Sequence, residues 1–280
     1  MLVLINGSLV SKEDAKVSVF DRGFLYGDGV FETVRIYNGK PFMLDEHMER
    51  LIAGLKILRF QKLPAGIKVY VSRLIEANKV NNGVLRIAVS RGELTSGIDP
   101  SASKEPTVVI TAKEGIPYSE AAYLKGFRAI ISDIRKDRNS PLCSVKSANF
   151  LTHVLARGEA TDAGVDEAIM LNYEGFVTET TVSNIFIKIK GNSLITPSRD
   201  SGVLPGIARK TVIEIADGMG LAVSERGVRP EELFDANEAF LTNSLMEVMP
   251  LIEVDKRPVG NGLPGNMTME LRKRYRSLCR

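Results

Sequence analysis

GVFETVRIYNGKPFMLDEHMERLIAGLKIL, residues 29–58, sets two periodicities side by side. VFETVRIY, residues 30–37, is rich in β-branched and aromatic side chains and reads as a strand. Asn38-Gly39, the commonest signal for a two-residue hairpin turn, returns it into a second strand over 40–44. The period then changes. Met48, Leu51, Ile52, Leu55 and Leu58 recur at helical spacing, with Asp45 where an N-cap belongs.

The flanking sequence extends this pattern. Upstream, residues 2–5 and 8–10 enclose Asn6-Gly7, a second type I′ signal. Downstream, a helix is expected over about 67–79 and strands over 84–92 and 107–113. Gly115-Ile116-Pro117-Tyr118 breaks the pattern and marks 115–120 as a linker. It separates a smaller N-terminal domain, 1–114, from a larger one, 121–280. The larger part begins with a strand, FRAIISDIR, and a helix, NFLTHVLARGEATDAG, whose packed stripe would be Phe150, Leu151, Val154 and Leu155. A meander over 167–191 follows, with turns at Glu174-Gly175 and Gly191-Asn192. Pro205-Gly206 opens a helix, NEAFLTNSLMEVMPLIEV supplies late strands, and MTMELRKRYRSL a terminal helix. Strands cluster ahead of helices in each half without regular βαβ alternation, which predicts an α+β fold.

Composition narrows the function. The 280 residues include 37 basic and 34 acidic side chains, for a net +3, and 44% are apolar, which excludes a disordered chain. Lys and Arg form no runs of the kind that mark a nucleic-acid surface. Cys143 and Cys279 are too few for a disulfide framework or a cysteine-built zinc site, and His47 and His153 leave little room for histidine-based metal chemistry. The opening MLVLINGSLV has no basic leader, and its apolar run stops at Asn6-Gly7, too short for a signal core or membrane span. A soluble protein in the reducing cytoplasm is the expectation.

Several positions invite chemistry. Gly27 and Gly29 in YGDGVFE lack the third glycine and the following helix of a dinucleotide fingerprint, so they read as a tight turn before a strand. At Pro205-Gly206 the amides of Ile207 and Ala208 would stand at the positive end of a helix, a geometry that suits a phosphate. Thr242, Asn243 and Ser244 close a later strand with donors that could complete a phosphate cup. Arg50, bordering an apolar stripe, either snorkels outward or clamps a phosphate in a bidentate pair. Lys146, among small residues, is one lysine that desolvation could turn into a Schiff-base former. Glu179 is either an exposed strand residue or the partner of a protonated heterocycle.

YGDGVFETVRIYNG, HMERL, KSANFL, VTETTVSNIF, GVLPGIARK and LTNSLMEVMPL, in this order, resemble the fold-type IV pyridoxal-phosphate enzymes across nearly the whole chain. These include branched-chain aminotransferases, D-amino-acid aminotransferases and 4-amino-4-deoxychorismate lyases. The resemblance implies a two-domain D-amino-acid aminotransferase-like fold, pyridoxal 5'-phosphate as cofactor and a homodimer acting on a small molecule. It matches Lys146 to the lysine that carries the cofactor and moves the proton, and Glu179 to the acid that hydrogen-bonds the pyridine nitrogen. Arg50, Ile207, Ala208 and Thr242 match the phosphate cup, and Leu204 the residue packed under the ring.

The branch is read from departures. Branched-chain enzymes resemble one another in a Glu-Gly pair where this chain has Glu32-Thr33, and in a Gly-Thr-Ala-Ala-Glu loop where it has Leu241-Thr242-Asn243-Ser244-Leu245. The tyrosine usual four places after the lysine is Phe150. The Arg-x-His carboxylate trap of D-amino-acid enzymes is missing after Arg91-Gly92. EAFLTNSLMEVMPLIEV is similar instead to the aminodeoxychorismate lyases, which implies β-elimination of pyruvate, with an aminotransferase or a non-catalytic cofactor-binding protein as alternatives. Thr33 is then a candidate acid for the leaving group, and Arg35, Arg86 and Arg91 are candidate partners for the substrate's carboxylates.

Overall fold

The computed structural model describes residues 1–94, 97–103, 105–189 and 191–279. Two compact units emerge: Met1–Pro117 with Val145–Phe150, and Tyr118–Ser144 with Leu151–Arg280. The first boundary falls at Pro117, inside the expected linker. The expected block 121–280 is corrected at one place, because Val145–Phe150 leaves the second unit and pairs with a strand of the first.

The first unit contains β1 (Leu2–Ile5), β2 (Ser8–Ser11), α1 (Arg22–Tyr26), β3 (Gly29–Tyr37), β4 (Lys40–Pro41), α2 (Leu44–Ile57), α3 (Ile67–Ala77), β5 (Gly83–Ser90) and β6 (Thr107–Glu114). Its strands make one antiparallel sheet, ordered β2-β1-β6-β5-β3-β4. Both hairpin signals act as read: Asn6 and Gly7, and again Asn38 and Gly39, all have positive φ, the twist that a type I′ turn requires. One sheet face carries Val30, Val34 and Ile36 of β3 and Leu85, Ile87 and Val89 of β5. These pack with Met48, Leu51 and Leu55 of α2 and Val71 and Leu74 of α3. By the two-residue period of a strand, Phe31 and Thr33 stand on the opposite face.

Two details differ from the sequence reading. Asp45 is not the cap of α2: the helix starts at Leu44 from a left-handed Met43 without a side-chain cap, and Asp45 lies in the first turn, ion-paired to Lys68. Ahead of β3 stands a short helix, α1, capped by the Asp21 carboxylate at one end and by left-handed Gly27 at the other.

The second unit contains α4 (Glu120–Lys125), β7 (Phe127–Lys136), α5 (Leu151–Asp162), β8 (Glu167–Asn172), β9 (Val177–Thr180), β10 (Asn184–Ile189), β11 (Ser193–Pro197), α6 (Ile207–Gly218), β12 (Ala222–Arg226), α7 (Pro230–Phe234), β13 (Glu238–Asn243), β14 (Glu247–Val254), β15 (Arg257–Pro258) and α8 (Asn266–Ser277). Its mixed sheet runs β12-β11-β10-β13-β14-β7-β8-β9, with β15 on β14. Two parallel crossovers join neighbouring strands, β7-α5-β8 and β11-α6-β12, while most other pairings in the sheet are antiparallel, so the α+β class holds. The expected stripe of α5 is reversed. Leu151, Val154 and Leu155 are 68%, 57% and 54% exposed, whereas Ala156 and Ala160 are buried with Ala168 and Met170. The small alanines let the helix lie close on β7 and β8, and the larger side chains turn outward.

Candidate active site

In the first unit, β3 positions groups on both faces. Toward the helices, Glu32 is fully buried and accepts hydrogen bonds from Arg50 Nε (2.8 Å) and Nη2 (2.7 Å) and from His47 Nδ1 (2.7 Å). Burial alone would push this carboxyl up, but the hydrogen bonds and charges of Arg50 and His47 outweigh it and hold it at about 2. Burial pulls the His47 imidazole below its ordinary range against the opposite pull of Glu32. A neutral ring donating from Nδ1 to the carboxylate satisfies both. The snorkelling alternative for Arg50 is thereby set aside: Glu32 orients its guanidinium as a fork.

The opposite face gathers the reactive groups. Val145–Phe150 lies along β3, with the Phe31 amide donating to the Lys146 carbonyl and the Ala148 amide to the Gly29 carbonyl, each at 2.9 Å. Lys146 Nζ stands 4.7 Å from the centre of the Phe31 ring and Arg86 Cζ 4.0 Å from the same centre. Both are within cation–π range. Phe150 meets that ring edge-on at 5.5 Å. Thr33 is the direct cross-strand partner of Arg86 on β5. The sheltered position of Arg86 lowers its pKa from the ordinary value through loss of water, without removing its charge at neutral pH.

The other two candidate arginines are corrected to structural roles. Arg35 is buried, and its Nη1 donates to the carbonyls of Ile36, Gly83 and Gly115. Arg91 is buried too, with Nε and Nη2 on Asp28 (2.7 and 3.0 Å) and further bonds to the carbonyls of Leu58 and Arg59. Arg22 Nε holds the same Asp28 at 2.8 Å. Sequence could not rank the three, since the ranking depends on carbonyls brought in by distant turns.

In the second unit, Glu179 is on β9 and 5% exposed. Lys136 pairs with Oε1, and Oε2 accepts from Asn184 Nδ2 (3.2 Å) and the Leu204 amide (3.1 Å). Asn184 begins β10, directly beside Thr242 of β13, and also donates to the Leu204 carbonyl at 3.0 Å. Gly206 precedes α6, and a Cβ there would come 2.0 Å from Asn184 Oδ1, so only glycine fits. The first turn of α6 has no side-chain cap, and its Ile207 and Ala208 are buried. Thr242 is fully buried, and its Oγ1 has no hydrogen-bond partner among the described residues. Sequence reasoning missed Lys136, Asn184 and Glu32. A polar Asn184 at the head of an apolar strand was the one available signal.

An orphaned hydroxyl near an uncapped helix start lacks an anion acceptor, and a buried carboxylate beside it suits a cationic ring nitrogen. These groups of the second unit suit an organic phosphate that carries a cationic ring. The amino-transferase class IV family matches residues 29–254, and the chain belongs to that family. A putative branched-chain-amino-acid aminotransferase of Methanocaldococcus jannaschii is 39% identical over 99% of this chain and 96% of its own length. The structure of the branched-chain amino acid aminotransferase of Escherichia coli superposes with a TM-score of 0.93, 31% identity, and coverage of 99% and 94% of the two chains. That of 4-amino-4-deoxychorismate lyase from Pseudomonas aeruginosa gives 0.87, 30%, and 99% and 98%. Other branched-chain aminotransferase structures of the same fold hold pyridoxamine 5'-phosphate or N-(5'-phosphopyridoxyl)-L-glutamate. The cofactor of this fold is pyridoxal 5'-phosphate. Among the described residues no cluster of metal-binding side chains occurs, and no helix is long and apolar enough to cross a membrane.

Proposed function

We propose that the chain is an aminodeoxychorismate lyase that converts 4-amino-4-deoxychorismate to 4-aminobenzoate and pyruvate. The observation that carries this reading is the trio around Phe31: a lysine amine, a guanidinium, and the Thr33 hydroxyl directly across from that guanidinium. The stretch LTNSLMEVMPL and the likeness to the Pseudomonas aeruginosa enzyme add to it.

Pyridoxal 5'-phosphate, when bound, supplies the sink for the electron pair released from the substrate's C–H bond. Lys146 holds the cofactor and, as a free amine, takes the proton from C4. As the C–O bond breaks, Thr33 hands its proton to the departing enolpyruvyl oxygen and regains one from the Lys146 ammonium. The enol becomes pyruvate, and the ring left behind is aromatic. Arg86 meets a substrate carboxylate. Glu179 holds the proton at the ring nitrogen, and Leu204 packs under the ring. The Ile207 and Ala208 amides and the Thr242 hydroxyl take the phosphate, a role that Arg50 shares by resemblance. A cytoplasmic homodimer belongs to the same reading, and sedimentation at micromolar concentration measures the dimer.

A branched-chain or similar aminotransferase is the second reading, favoured by the 39% identical Methanocaldococcus jannaschii relative. Two assays separate them. One follows 4-aminobenzoate fluorescence from 4-amino-4-deoxychorismate made in situ, and the other offers leucine, valine or D-alanine with 2-oxoglutarate. Aminobenzoate without amino transfer supports the lyase, and the reverse overturns it. Thr33→Val is expected to lower lyase kcat by about a hundredfold or more, the usual worth of a general acid. Unchanged turnover would remove Thr33 from the mechanism.

A further inference from the structure

A carboxylate has two oxygens and about four acceptor positions. At Glu179 three are filled by protein groups: Lys136 on Oε1, and Asn184 and the Leu204 amide on Oε2. Oε2 is therefore saturated, and the one position left open is on Oε1, the oxygen that Lys136 holds. The Glu179 and Lys136 side chains are both more than nine-tenths buried, so water is a poor substitute for either partner.

We propose that Lys136 is the positioning residue for Glu179, fixing the carboxylate so that the open acceptor position of Oε1 receives the N–H of the cofactor's pyridine ring. This rests on the family's cofactor and on Glu179 facing the ring nitrogen. It does not depend on which reaction follows. Two donors on Oε2 define a hinge about which the carboxylate can still swing. A third donor on Oε1 removes that freedom, as a fork of donors does for any bidentate carboxylate. The cation also sets the strength of the contact. Lys136 and a protonated ring nitrogen share one oxygen, so the carboxylate's charge is divided between them and the ring is anchored without being neutralised. Beside the pair, the Cys143 thiol is raised above its ordinary pKa by burial, with Lys136 pulling the other way and Glu179 and Asp137 adding to the rise. Cys143 thus reports on the pair without donating to it.

The test reads cofactor binding rather than turnover. Lys136→Met, Lys136→Arg and Glu179→Gln are purified with cofactor. The visible absorption band of the bound cofactor is recorded, and its dissociation constant is measured by dialysis. Lys136→Met is expected to shift the band and weaken binding by about tenfold to a hundredfold, the worth of one hydrogen bond to a charged group. Lys136→Arg should restore both. Added to Glu179→Gln, Lys136→Met should change affinity by less than about twofold, because a residue acting through Glu179 has nothing left to act on. The double variant also removes the uncompensated buried charge, which keeps the cycle readable if Lys136→Met alone folds poorly. A Lys136→Met protein with the wild-type band and affinity, or a double variant with additive losses, would overturn the proposal. If Glu179→Gln itself leaves band and affinity unchanged, the placement of Glu179 at the ring nitrogen fails instead.

Discussion

Replacing Glu32 with Gln should destabilise the protein at neutral pH and do so progressively less as the pH falls. Glu32 is fully buried with its acceptors taken by Arg50 and His47, and its carboxyl is held at about 2 against a reference of 4.5. A carboxyl whose pKa is depressed by folding contributes stability above its unfolded pKa and loses it as the pH drops through the folded value. That lowering corresponds to about 3 kcal/mol at pH 7, falling to about 1 kcal/mol at pH 3. Asp28, Glu120 and Glu232 also have lowered pKa values, but they are common to both proteins and cancel in the difference. The chain has no tryptophan, so urea unfolding is best followed by far-UV circular dichroism. The apoprotein is the right sample, because a change in cofactor affinity would otherwise enter the apparent stability. A gap between wild type and Glu32→Gln of about 3 kcal/mol at pH 7 that narrows toward pH 3 is the expected result. An equal gap at both pH values would refute the account of Glu32 as an ionised anchor, and no gap at pH 7 would refute its role in holding Arg50.

Thr242→Val removes a hydroxyl that meets no partner among the described residues, so the apoprotein should melt at the wild-type temperature or slightly higher. Its affinity for pyridoxal 5'-phosphate should fall by about tenfold, and unchanged affinity in an equilibrium dialysis would exclude the hydroxyl from the phosphate contacts. Arg86→Ala should leave stability within about 0.5 kcal/mol of wild type while raising KM for the carboxylate substrate. Arg91→Ala should lose about 3 kcal/mol or more in urea, because it strips Asp28 of a buried partner and frees two turn carbonyls. The opposite pattern would mean the two arginines have been assigned the wrong way round.

What the sequence disclosed about the fold was whatever is written locally. Asn6-Gly7 and Asn38-Gly39 signal hairpins because few other residues take the positive φ their turns need. The switch from period two to period 3.6 between Tyr37 and Met48 announces a strand followed by a helix, whichever residue caps it. Long-range features were not legible. Leu151, Val154 and Leu155 have helical spacing, but spacing says that a stripe exists and not what covers it. Val145–Phe150 joins the first unit through backbone pairing with β3, to which no local signal points. At the site, Lys146 and Glu179 could be chosen only because six motifs in order resembled a family. Lys136, which completes the Glu179 environment, lies at the end of β7 and reaches β9 through sheet pairing alone.

The arginines turn the modest net charge into a statement about specificity. A net +3 from 37 basic and 34 acidic residues suggests a few cations available for anions, but geometry withdraws most of those near the reactive strand. Arg22 and Arg91 converge on Asp28, and between them they also hold the carbonyls of residues 58, 59 and 97–99, so both act as staples for turns. Arg35 does the same for Gly83 and Gly115. All three candidates lie over an aromatic ring, but Arg86 alone of them has no protein acceptor among the described residues. A guanidinium resting on a ring keeps its in-plane donors for a carboxylate, and its loss of water strengthens that pairing. Thr33 is directly across the sheet, so the backbones that carry the cation and the hydroxyl lie one strand spacing apart on the same face. Under the lyase proposal, a carboxylate on Arg86 would bring the neighbouring ether oxygen of the same substituent to the face that carries Thr33. An enolpyruvyl ether carries both groups on one carbon, whereas a branched-chain amino acid brings a carboxylate with no oxygen beside it for the hydroxyl to protonate.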